Sequence, residues 1–226
     1  MVVAYPCENV PPLENGDALT RNEFERRYHA MPENLRAELI EGVVYLTTST
    51  PFLSHAKQHA QIVYWLSNYR AFTPGIRAGS TCTVRLDRNN EPQPDAILFV
   101  DPAKGGQAEI DEEDFVAKAP EFVAEVATDD AGIDLQKKLP VYRRNEVREY
   151  VVWRVYDDAI DWFVLHGGAY EQIPADEAGI RKSENFPGLW LDSAALRRGD
   201  LPAVFQTVQL GLASPEHVQF VERLAR

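Results

Sequence analysis

The chain has 226 residues, 45% of them apolar and 26% charged, and a net charge of −12. That length buries one substantial core, and the acidic balance argues against broad nonspecific attraction to a polyanion. Two cysteines, Cys7 and Cys82, stand far apart with no histidine at ligand spacing, which indicates neither a disulfide framework nor a zinc knuckle and fits a reducing cytosol. The first residues lack the basic and long apolar regions of a signal peptide, and no later apolar run approaches membrane-spanning length, so a cytoplasmic location is expected.

Residues 1–19 contain three prolines and no sustained periodicity, and read as an irregular N-terminal extension. Thr20 followed by Glu23 has capping-box spacing and predicts a short polar helix running to His29. From Leu35 the pattern changes to a period of two. Leu35, Ala37 and Leu39 fall on one face, Arg36, Glu38 and Ile40 on the other; Glu41-Gly42 makes a turn, and Val43 to Thr47 return as the partner strand of a hairpin. Glu38 either points toward a cleft beside the sheet, adding a carboxylate to a site there, or is an exposed acid on an edge strand. Ser54 is the expected N-cap of a long helix from His55 to Arg70, with Ala56, Ala60, Val63, Leu66 and either Trp65 or Tyr69 in its broad apolar stripe. His55 then sits in the first turn, either within reach of a substrate or site carboxylate or exposed without a task.

Two short β runs, Ile76 to Gly79 and Thr81 to Leu86, lead into a strong loop signal at 87–93. Pro94 then fixes Asp95 at the head of a buried run, Ala96 to Val100, where a charge is costly unless something pairs with it. After a polar, acidic surface loop at 101–119, a second apolar run ends on an acid: Phe122, Val123, Ala124, Glu125, Val126. Two acids at strand ends and a nearby ammonium are the parts of a divalent-metal phosphodiesterase. The carboxylates hold a hard cation such as Mg²⁺, and cation and ammonium together supply hydroxide and offset charge building on the phosphate. Acids also close strands as ordinary solvated residues. The ammonium would come from a helix expected over 132–145. At about 100° per residue, Leu135, Leu139 and Tyr142 form its buried stripe, Lys138 lies near the edge of that stripe, and Lys137 and Arg144 point away. Pro140 either kinks this helix or moves its start to Leu139.

Glu149 to Trp153, Ile160 to His166 and Ala169 to Ile173 extend the sheet, the last two as a hairpin around Gly167-Gly168. Ser193, Asp200 and Ser214 mark helix starts in a C-terminal helical tail over 196–226. Three basic clusters, Arg85 with Arg88, Lys137 to Arg148, and Arg197 with Arg198, are either solvated surface or phosphate contacts. No P-loop, GxGxxG or GxSxG element is present.

Taken in order, Glu38-Leu39-Ile40-Glu41-Gly42, Ser54-His55, Pro94-Asp95, Glu125-Val126, Asp134 with Lys138 and Tyr142, and Glu149-Tyr150-Val151-Val152-Trp153 resemble the Uma-type restriction endonuclease family of the PD-(D/E)xK nuclease superfamily, over residues 20–195. The resemblance implies an α/β, restriction-endonuclease-like core: a central mixed β-sheet flanked by helices, with the site at the mouth of a β-hairpin. It implies that Asp95 is the aspartate of the PD half and Glu125 the acid of the (D/E)xK half, both metal ligands, and that Glu38 is an acid supporting the metal. Ala127 stands where the superfamily pattern has its lysine, and the resemblance implies that Lys138, from the next helix, takes that lysine's place. The expected function is a Mg²⁺-dependent DNA endonuclease, with Mn²⁺ as a possible substitute. Asp95, Glu125 and Glu38 would hold the metal, Lys138 would activate water and stabilise the pentacovalent phosphate, and His55 would touch the scissile group. Cutting both strands implies a homodimer. The rival, favoured by Ala127 and the acidic charge, is a catalytically inactive nuclease-fold binding or assembly module.

Overall fold

The computed structural model describes residues 10–32, 34–47, 52–128 and 132–226; the expectation for Cys7 lies outside them, and Cys82 is a free, half-buried thiol. Helix α1 (Arg21–Tyr28) begins after Thr20, which takes the N-cap place without a side-chain cap bond. The capping box does not form because Glu23 accepts hydrogen bonds from Arg26 and Arg27 instead. Phe24 of α1 is buried with Leu13, Ala37, Leu39 and Val44 against the hairpin of β1 (Arg36–Ile40) and β2 (Val43–Thr47). Register sets Glu38 opposite Tyr45. Both turn residues take positive φ, Glu41 at 54° and Gly42 at 74°, as in the mirror-image turns that match strand twist.

Helix α2 (Lys57–Ala71) follows a π-helical turn, Phe52–Ala56, that carries His55. Ser54 therefore does not cap α2: the cap place falls to Ala56, which makes no side-chain bond. The buried face consists of Ile62, Trp65, Leu66 and Tyr69, with Gln58 and Gln61; Leu66, Trp65 and Tyr69 of the expected stripe lie in it, Ala56 and Val63 are half-buried, and Ala60 faces outward.

Strands β3 (Ile76–Ser80), β4 (Val84–Arg85), β5 (Ala96–Val100), β6 (Glu109–Ile110), β7 (Val116–Ala117) and β8 (Phe122–Ala127) come next. The chain then runs through a second π-helical turn, Ile133–Lys138, into helix α3 (Leu139–Arg144) and strands β9 (Glu149–Arg154), β10 (Ala159–His166) and β11 (Ala169–Gln172). A mixed six-stranded sheet in the order β11-β10-β9-β8-β5-β3 forms the centre, parallel between β8 and β9 and antiparallel elsewhere. Segment 101–119 is more structured than a surface loop, since β6 and β7 join β4 in a small three-stranded sheet.

One face of the central sheet packs on α2 through an aromatic group: Trp65 and Trp162 meet edge to face at 5.4 Å, with Phe122 and Phe186 beside them. Strands β12 (Ile180–Lys182) and β13 (Trp190–Asp192) and helices α4 (Ser193–Arg198), α5 (Leu201–Leu212) and α6 (Pro215–Leu224) close this layer. Leu196, Val204, Val208, Phe220 and Leu224 belong to the same cluster as Trp65. On the opposite face Ile97, Phe99, Val123, Tyr150 and Val152 cluster with Tyr142 of α3. Among the described residues no helix is long and apolar enough to cross a membrane.

Candidate active site

Strands β5 and β8 pair with Ala96 opposite Ala124, so one step further along the ladder brings Asp95 level with Glu125. The two residues lock reciprocally: the Asp95 N–H donates to Glu125 Oε2 at 3.2 Å, and the Val126 N–H donates to Asp95 Oδ2 at 2.7 Å. Their exposures are 8% and 4%. Carboxylates so deep need positive partners, and the turn before α3 supplies one. Lys138 Nζ lies 2.9 Å from Glu125 Oε1, 2.9 Å from Glu38 Oε1 and 3.6 Å from Asp134 Oδ1. Lys137 next to it is exposed. Pro140 stands in the first turn of α3, directly after the π-helical turn.

Glu38 reaches the site from β1, held by the Gln93 N–H at 2.6 Å. His55 Nε2 lies 3.3 Å from Asp95 Oδ1; its Nδ1 is buried with no hydrogen-bond partner among the described residues. The five residues singled out in the sequence, Asp95, Glu125, Lys138, Glu38 and His55, thus come together. Three others were not singled out for the site. His59, one turn beyond His55, sets its Nε2 2.9 Å from the Asp95 carbonyl, an acceptor that makes this nitrogen the donor. Asp134 stands four residues before Lys138, and the Tyr142 hydroxyl donates to Glu125 Oε1 at 3.0 Å. The i,i+4 spacings His55–His59 and Asp134–Lys138 were available signals.

The electrostatics follow from crowding acids into a dry space. Burial, opposed by Lys138 and aided by Asp134, Asp95 and Glu38, pushes the Glu125 carboxyl well above the usual range. Burial likewise pushes Asp134 up to about 6. Asp95 goes the other way: burial opposes its charge, but His55, the Val126 N–H and Lys138 outweigh it and lower its pKa. The hydrogen bond to Asp95 raises His55 in return. Burial also works against the Lys138 ammonium, yet Glu125, Glu38 and Asp134 hold it well above the usual lysine value.

The donor set suits a hard divalent cation. It consists of carboxylate oxygens, whose negative charge exceeds what Lys138 and His55 offset, and Mg²⁺ is typically bound by one or two carboxylates plus water. Asp95 and Glu125 are the adjoining pair. Among the described residues no three His, Cys, Asp or Glu side chains form a ready cage, so the fit rests on donor type and charge.

A family model described as "Uma2: Putative restriction endonuclease" matches residues 21–194. The chain belongs to the Uma2 family. The fold is similar to that of a solved structure, a protein from Anabaena variabilis ATCC 29413 described as a putative nuclease belonging to DUF820. The two share 12% identity at a TM-score of 0.55, over 81% of this chain and 97% of that one. No curated protein matches the chain. The Uma2 match runs from α1 to the start of α4, and so takes in the whole Asp95–Glu125–Lys138 cluster.

Proposed function

We propose that this Uma2 chain is a divalent-metal-dependent DNA endonuclease. The observation that carries the reading is the convergence of Glu38 and Glu125 on the ammonium of Lys138, with Asp95 locked beside Glu125. Asp95 and Glu125 would hold Mg²⁺ or Mn²⁺, with Glu38 in support. A metal bound there would polarise a phosphoryl oxygen and make hydroxide available at neutral pH. Lys138 opposes the negative charge that grows on the phosphate, His55 and His59 hold Asp95 in place, and the dry walls strengthen each of these interactions. A homodimer would set two such centres against the two strands.

The test is incubation of purified protein with supercoiled plasmid and Mg²⁺ or Mn²⁺. Nicked or linear product is expected, and Asp95→Ala should abolish it. DNA left intact at high protein and metal concentrations by a folded protein would overturn the proposal. Calorimetry separates the rival binding-module reading, in which Ala127 signals lost catalysis: a Mn²⁺ site that Glu125→Gln removes belongs to the nuclease, and the absence of any such site to the rival.

A further inference from the structure

We infer that Tyr142 and Tyr150 are positioning residues that tie the helix-borne ammonium to the strand-borne acids. The inference rests on the nuclease reading above. Position 127 lies on the same face of β8 as Glu125, so a lysine there would be fixed to the acid by the strand itself. With Ala127 in that place, the amine arrives from the π-helical turn Ile133–Lys138. Its distance from Glu125 then depends on how that turn and α3 are seated against the sheet.

Two phenols cross this seam in opposite directions. Tyr142, on α3 one turn after Lys138, donates to Glu125 Oε1 at 3.0 Å, the same oxygen that Lys138 reaches at 2.9 Å. Tyr150, on β9 beside β8, donates to the Asp134 carbonyl at 3.2 Å, within the turn that carries Lys138. Both side chains are 0% exposed, and their rings pack at 4.9 Å. Phenylalanine would fill the same space; what the hydroxyls add is one fastening from helix to acid and one from strand to turn.

The two fastenings have separable consequences. Tyr142 holds a proposed metal-binding acid, whereas Tyr150 holds the segment bearing the amine. Tyr142→Phe should therefore weaken Mn²⁺ binding, measured by calorimetry, about tenfold. Tyr150→Phe should leave the Mn²⁺ constant within about twofold and lower kcat for DNA cleavage about tenfold at unchanged KM. Thermal melts show whether both variants fold. A merely structural role would lower both readouts in proportion to the folded fraction. Unchanged Mn²⁺ affinity in folded Tyr142→Phe, or unchanged kcat in folded Tyr150→Phe, overturns the inference and leaves the nuclease reading standing. A wild-type protein with no Mn²⁺ site overturns that reading, and this inference with it.

Discussion

Three carboxylates around the ammonium of Lys138 make it the most consequential single charge in the molecule, because its loss would leave Glu125, Glu38 and Asp134 facing one another in a dry space. Lys138→Met is expected to destabilise the fold by about 3–5 kcal/mol at neutral pH, the usual cost of removing one partner from a buried charge group. Urea unfolding checks this. A loss below about 1 kcal/mol would mean that water already screens the cluster. Glu91 offers a pH test away from the site. Burial, and then the neighbouring Glu25, push its carboxyl up to about 8 from the ordinary 4.5. With the folded value above the unfolded one, the folded state binds the extra proton, so stability falls as pH rises from about 4.5 to about 8. Glu91→Gln should flatten that decline, melting above the wild type beyond about pH 8 and level with it below about 4.5. Parallel melting curves across the range would contradict this. At this scale the chain was readable where local chemistry was unusual, as with Asp95 after proline, Glu125 closing an apolar run and Lys138 beside a helical stripe. Tyr142 reads as core because its packing and its hydrogen bond to Glu125 fall on the same face, and the partner of His59 is the backbone carbonyl of Asp95, far along the chain and just before β5, which no side-chain pattern records.

Among the elements, long periodic runs declared themselves and short ones did not. The hairpin of β1 and β2 and the strands β5, β8, β9 and β10 follow their apolar patterns closely. Strands β6 and β7 have two residues each, too few for a period; they pair with each other, β7 also pairs with β4, and Arg85 of β4 bonds Asp111 and Glu113 between them. The two π-helical turns also escaped notice, since one extra residue per turn leaves no mark on a stripe read at the α-helical period. Helices α4 to α6 read as a tail; Leu196, Val204 and Val208 put them in the cluster that holds Trp65 and Trp162. They are expected to unfold with the sheet in one transition, with tryptophan fluorescence and far-ultraviolet circular dichroism coinciding. Leu196→Ala should cost about 2–5 kcal/mol. An early transition confined to the helical signal would show instead that the C-terminal helices melt independently.

For the whole molecule the governing quantity is the net charge of −12. Such a surface repels DNA at long range, and under the proposed function a cation at the cluster would reduce that repulsion where the backbone would approach. Binding of labelled duplex DNA is therefore expected to be weak in chelator and at least about tenfold tighter in Ca²⁺, a cation that also takes carboxylate oxygens. Equal affinity in both conditions would locate the DNA-binding surface away from the acids.

The order in which the cluster's parts lie along the chain has one more consequence. Residues 38, 95 and 125 precede residue 138 in the chain, and the sheet face that α3 covers includes Tyr150 and Val152 of β9, which follow it. A chain synthesised only as far as residue 137 thus holds the acids without their counter-ion, and whatever reaction the finished protein performs is withheld from the cell until translation has moved well past the middle of the message.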